Sequence, residues 1–156
     1  MKSLVVYYSR TGVTRKVAAE IAGALGSDIE EIVDQKDRRG IWGWFMAGRD
    51  ATLKKLVNID PNKRDPSNYD LVVIGTPVWA WTMTPAIRAY IAANSAHFKK
   101  VAFFLTMGGA CGKTFKTMED LCGKKPLAVL DLKETEVRKE KHIQKIKDFA
   151  VEISGK

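Results

Sequence analysis

Two stretches of this chain carry residues whose types and spacing suit phosphate chemistry. The first, "SRTGVTRK" at 9–16, sets the hydroxyls of Ser9, Thr11 and Thr14 around Gly12. Glycine lets the turn tighten, and a helical pattern starts immediately after it, so the helix's free N–H groups point back at the turn. Hydroxyls, turn and helix start together form an anion cradle that needs neither a metal nor an obligatory cation. A merely capped helix has the same local pattern, since Ser and Thr are common caps.

The second stretch, "FFLTMGGACGKTF" at 103–115, ends in Gly112-Lys113-Thr114 and invites comparison with a triphosphate-binding loop. That loop needs Gly, four residues, then Gly-Lys-Thr. Its first glycine would fall at 107, where Met107 stands; Gly108 and Gly109 come too late. The spacing decides which backbone N–H groups point inward, so the shortened form is a different structure. A convincing second acid is also missing: Asp131, after "LAVL", is the nearest candidate, and the loop follows the fourth strand rather than an early one.

Other chemistry is sparse. "TPVWAWTMTP" at 76–85 holds Trp79 and Trp81, suited either to stacking on a flat ring or to covering a core edge. "TMGGACG" at 106–112 is polar and glycine-rich, so its backbone can approach a heterocycle closely. Cys111 and Cys122 form neither a C-x-x-C pair nor, with His97 and His142, a metal-ligand set. Cys111 has no acid–base partner nearby in sequence and reads as small filler, Cys122 as core. No catalytic residue and no metal site are expected.

Elements that could hold these loops are visible in the hydropathy. Apolar runs at 3–9, 28–34, 70–76, 100–106 and 126–132 are mostly continuous, as in strands buried on both faces of a parallel sheet. Helical spacing lies between them: Val17, Ile21 and Leu25 in one segment, Ile143, Ile146, Phe149 and Ile153 in the last. Strand–helix alternation predicts an α/β fold with right-handed crossovers. Ligands of such sheets bind beyond the carboxyl ends of the strands, which is where the three loops fall. We expect one domain, 1–156, with a partly helical insertion at about 35–69. Within it, "GIWGWFM" at 40–46 reads as a lid, a partner patch or a helix packed on the core.

Composition narrows the classes. At 46% hydrophobic and 28% charged residues the chain has an ordinary globular balance. The apolar runs are too short to span a bilayer, and "MKSLVVYYSRTG" is too weakly apolar for a signal peptide, so a cytoplasmic protein is expected. The net charge of +8 is scattered in doublets at element ends, which favours a solvated surface over nucleic-acid binding. Steering toward an acidic partner or an anionic ligand is the functional alternative.

"YYSRTGVTRKVA", "VVIGTPVWAWTMTPAIRAYI" and "FFLTMGGACGKT", in that order, resemble the flavodoxin-like family of FMN-binding proteins. The resemblance covers nearly the whole chain outside 35–69. It implies a three-layer, doubly wound, five-stranded parallel sheet of order 2-1-3-4-5. It implies that Ser9, Arg10, Thr11, Gly12, Val13 and Thr14 hold the FMN phosphate. It further implies that Thr76, Pro77, Val78, Trp79 and Ala80 border the isoalloxazine on one side, and Thr106, Met107, Gly108, Gly109 and Gly112 on the other.

Departures from the family bear on function. The chain is basic where electron-carrying members are usually acidic, and the 106–112 loop lacks the aromatic that commonly covers the outer flavin face. The family eases a peptide flip beside its flavin with glycine; Val78 and Ala80 stand at the candidate positions, where positive φ is less accessible. The expected function is electron transfer between redox partner proteins. The alternatives are an FMN-dependent NAD(P)H/quinone-type oxidoreductase, acting on a small quinone-like or nicotinamide substrate, and a flavin-less interaction module of the same fold.

Overall fold

Successive strand residues send their side chains to opposite sides of the sheet, and helices cover both sides. The computed structural model describes residues 1–35 and 57–155. Its elements are β1 (Ser3–Tyr7), α1 (Val13–Leu25), β2 (Asp28–Glu31), β3 (Leu71–Trp79), β4 (Thr82–Met83), α2 (Pro85–Asn94), β5 (Lys100–Met107), α3 (Thr114–Cys122), β6 (Val129–Lys133), α4 (Glu134–Arg138) and α5 (Ile143–Ser154). Leu4, Val6, Val72, Ile74, Phe103 and Leu105 face α2 and α3, meeting Ile87, Tyr90, Ile91 and Met118. Val5, Tyr7, Val73, Ala102 and Phe104 face α1 and α5, meeting Val17, Ile21, Ile146 and Phe149. Continuous apolar strands are what this double burial requires.

The sheet order is β2-β1-β3-β5-β6, with all neighbours on this path parallel. The five principal strands therefore stand in the expected 2-1-3-4-5 order, and the direction of winding reverses between β1 and β3. Open α/β sheets bind ligands at such a reversal, beyond the strand carboxyl ends.

Several boundaries differ from the sequence expectation: β1 ends early at Tyr7 and β6 starts late at Val129, and the changes that matter to the site are at β2 and β3. β2 ends at Glu31, and Asp34 then bridges Ile59 antiparallel. β3 runs on to Trp79 and turns back through β4, so much of the expected loop is a hairpin, with Val78 opposite Met83 and Trp79 opposite Thr82. The described end of the expected insertion is fastened by Glu30, whose buried carboxylate accepts from the N–H groups of Lys63 (2.7 Å) and Arg64 (3.0 Å). The expected helical part and the 40–46 aromatic segment, with Trp42 and Trp44, lie outside the described residues. Among the described residues, no helix is long and apolar enough to cross a membrane.

Candidate functional site: a cleft at the carboxyl ends of β1, β3 and β5

The 9–14 loop forms an open helix start. Gly12 occupies the N-cap of α1 at φ 92°, a backbone region that favours glycine. No side chain caps the helix, and no acidic residue stands in its first turn. The N–H groups there keep their positive field free for an external anion. Ser9 Oγ accepts from Gly12 N–H at 3.1 Å, which closes the turn and leaves the serine's own proton available to donate. Thr14 is buried, with Oγ1 2.8 Å from Thr106 Oγ1, tying the first turn of α1 to the end of β5. Val13 packs against the core from the rim.

Beyond this loop lie two adjoining openings. The smaller, about 240 Å³, is lined by Arg10, Thr11, Thr14, Pro77, Val78, Trp79, Gly108 and Glu134. The larger, about 430 Å³, is lined by Val78, Trp79, Ala80, Trp81, Met107, Gly108, Gly109 and Ala110. Val78, Trp79 and Gly108 belong to both, so a hydroxyl-bearing end runs into an apolar, aromatic end. Trp79 meets Tyr8 edge to face at 5.4 Å, and the Arg10 guanidinium stands 6.0 Å from its ring centroid. These contacts fix the indole as a wall of the cleft.

The hairpin that carries Trp79 is strained. Its two turn residues, Ala80 (φ 48°) and Trp81 (φ 60°), are both left-handed, as a two-residue turn with both φ positive demands and as Asn-Gly would supply more easily. Positive φ, expected to be less accessible at Ala80, is adopted there at φ 48° and held by neighbouring structure. A Cβ on Gly112 would lie 2.7 Å from Trp81 O, so the Gly112 backbone presses against the turn. Thr114 Oγ1 also lies 3.4 Å from Trp81 O, while its proton goes to the nearer Cys111 O at 2.6 Å. At the hairpin's base Thr84 N–H donates to Thr76 Oγ1 at 3.1 Å, and Thr84 Oγ1 caps α2 by accepting from Ile87 N–H.

Of the expected site residues, Arg10, Thr11, Thr14, Pro77, Val78, Trp79, Ala80, Met107, Gly108 and Gly109 line the two openings. Ser9 and Gly12 shape the turn beside them. Thr76 and Thr106 are buried with their hydroxyls engaged inside the protein, and Gly112 stands behind Trp81 rather than on the lining. Trp81, read in the sequence as a ring-stacking or edge-covering residue, lines the larger opening beside Ala110, and Glu134 lines the smaller one without having been singled out. Glu134 was findable, since it directly follows the last strand, whose carboxyl end shares this side of the sheet.

A family model described as Flavodoxin matches residues 2–148. This chain belongs to the flavodoxin family. A flavoprotein from Lactobacillus acidophilus NCFM, solved in complex with FMN, is similar at 26% identity and TM-score 0.73, covering 88% of this chain and 97% of that one. Oxidised flavodoxin 1 from Bacillus cereus (18% identity, TM-score 0.63, 99% and 98% covered) shares the fold. So does two-electron reduced Megasphaera elsdenii flavodoxin (14%, 0.64, 95% and 97%). No curated protein matches the chain.

Flavodoxin membership also accounts for the 112–114 triplet. Gly112 adopts φ 56° and Thr114 opens α3, its Oγ1 donating to Cys111 O. In that geometry Gly112 and Thr114 lie against Trp81 of the β3–β4 hairpin. The cysteines differ in access: Cys122 is buried, which pushes its thiol up to about 12, whereas Cys111 is half-exposed beside the cleft. A thiol-specific disulfide reagent is therefore expected to modify Cys111 in the native protein and Cys122 only on unfolding. Equal native rates at both would contradict this packing.

Proposed function

We propose that this chain, acting as one domain over 1–156, binds FMN in the paired openings and transfers electrons between redox partner proteins of the cytoplasm. The observation that carries the reading is the continuity of the two openings. An uncapped, acid-free helix N-terminus lies at one end, and the Trp79 wall with Gly108 and Gly109 lies at the other. A group with a phosphate at one end and a flat ring at the other fits that donor set. The FMN held by the relative at 26% identity supports the same cofactor.

When bound, FMN supplies the redox chemistry. The chain's residues bind, orient and limit access. The N–H groups at the start of α1, with the hydroxyls of Ser9 and Thr11, hold the phosphate. Trp79 and the Gly108–Gly109 backbone hold the ring. Glu134, at the polar opening, faces the sugar-alcohol chain as a hydrogen-bond acceptor. With a net charge of +8, productive docking calls for an acidic partner surface.

An FMN-dependent NAD(P)H or quinone-type oxidoreductase is the second reading, favoured by one observation. Past Met107 the β5 loop presents only Gly108, Gly109 and Ala110, all exposed and none aromatic, so a flat second reactant has room at the ring.

Absorption on adding FMN, followed by light-driven anaerobic reduction, tests the proposal. Bands at about 370 and 450 nm that saturate at one FMN per chain are expected, with slow or no turnover on NAD(P)H alone. Rapid NAD(P)H turnover moves the assignment to the oxidoreductase. Absence of uptake removes both.

A further inference from the structure

Arg88, in α2, is a buried cation with no neutralising carboxylate among the described residues. The residue is only 7% exposed. Nη2 donates to Thr82 Oγ1 at 3.2 Å, and Nε is buried without a hydrogen-bond partner. Among the described residues no carboxylate pairs with it, and burial alone holds its pKa below the usual arginine value. Arginine nevertheless stays protonated in proteins. A buried, unpaired charge costs stability, and apolar residues of similar size commonly replace such groups without loss. Retaining it requires a return elsewhere.

Its position indicates where. Thr82 stands opposite Trp79 across the β3–β4 hairpin, and Trp79 lines the larger opening. The guanidinium is thus tied, through the Thr82 hydroxyl, to the strand residue paired with Trp79. Arg10, which also stands near Trp79, is only half-buried, so solvent screens it more. A fixed charge in a water-poor interior acts over a longer range than one at the surface.

We propose that Arg88 is a positioning charge for the redox reaction: held by Thr82, the cross-strand neighbour of Trp79, it favours the reduced over the oxidised form of the bound flavin and so raises its potential. The inference rests on the FMN reading above. FMN that takes up two electrons and one proton carries one more negative charge than oxidised FMN, and that added charge is what Arg88 attracts. Arg88 touches no reacting atom in this scheme. If it served packing alone, its charge would be irrelevant to the potential.

The test uses the full chain, with FMN as the probe and dithionite as the electron source, read against a reference dye. Arg88→Met keeps the stem and removes the charge. The FMN-free variant is expected to be at least as stable to urea as the parent, and its affinity for oxidised FMN to stay within about threefold. Affinity for reduced FMN is expected to fall about tenfold, a lowering of the two-electron midpoint by about 30 mV. Arg88→Lys should keep most of the parent potential. Should Arg88→Met fail to fold, Arg88→Gln and Arg88→Lys carry the same comparison: the glutamine must lower the potential and the lysine must not. Normal FMN uptake with an unchanged potential in the neutral variant overturns this inference alone. A parent chain that takes up no FMN overturns the FMN reading and this inference with it.

Discussion

Gly112→Ala is expected to destabilise the protein by about 2 kcal/mol or more and to weaken FMN binding at least tenfold. Two effects add at this position. Gly112 adopts φ 56°, where a Cβ is strained whatever the space around it. The new Cβ would also lie 2.7 Å from Trp81 O and 2.8 Å from Trp81 Cβ, and the carbonyl is backbone that cannot swing away. Relief requires the Ala80–Trp81 turn to move, and that turn is already held in left-handed geometry by its neighbours. Trp79 and the cleft wall move with it. Gly23→Ala is the control, because a Cβ there meets nothing within 4 Å, the residue lies on the exposed side of α1 outside the cleft lining, and the change should not destabilise. Urea unfolding and FMN titration of both variants would measure the difference. Equal behaviour of the two would mean that the hairpin is not braced by Gly112.

The second large effect lies one layer deeper. Gly75→Ala is expected to cost about 1–3 kcal/mol through overpacking. Gly75 pairs with Phe104 across β3 and β5, and the ring lies over the glycine so closely that a Cβ would fall 1.9 Å from Phe104 Cζ. Phe104 is fully buried against α1 and α5, so it has little room to retreat. Shortening the ring should restore what the methyl displaces. In a double-mutant cycle with Phe104→Leu, the pair is expected to be less destabilised than the sum of the single changes. Simple additivity would show that the ring is free to shift. Because Thr76 follows Gly75 and carries the hairpin's base, loss of FMN affinity should accompany the loss of stability.

These sites also show what was legible in the sequence. The sheet could be read because β1, β3 and β5 carry unbroken buried apolar runs at 4–7, 71–74 and 101–105, and such strands need helices on both sides. Leu4 and Val6 serve one core, Val5 and Tyr7 the other. The 9–14 loop could be read because hydroxyls, glycine and helix start coincide within six residues. The β3–β4 hairpin could not, since Ala80-Trp81 lacks the Asn-Gly signature and its conformation comes from Gly112 and Thr114, some thirty residues on. The same tertiary coupling hides the roles of Thr76 and Thr106, whose hydroxyls turn inward to Thr84 and Thr14. Arg88 gave no signal, because an arginine in a helix ordinarily reaches solvent and its burial is apparent only once α2 is packed.

The central claim is that one continuous site holds a phosphate at the start of α1 and a flat ring against Trp79. Calorimetric titration of the flavin-free chain with FMN and, separately, with riboflavin tests both halves at once. The predicted result is one FMN per chain, with riboflavin bound about a hundredfold more weakly, because only FMN brings the charged group that the uncapped helix N-terminus and hydroxyls receive. Equal affinity for the two, or heat from neither, would contradict the account.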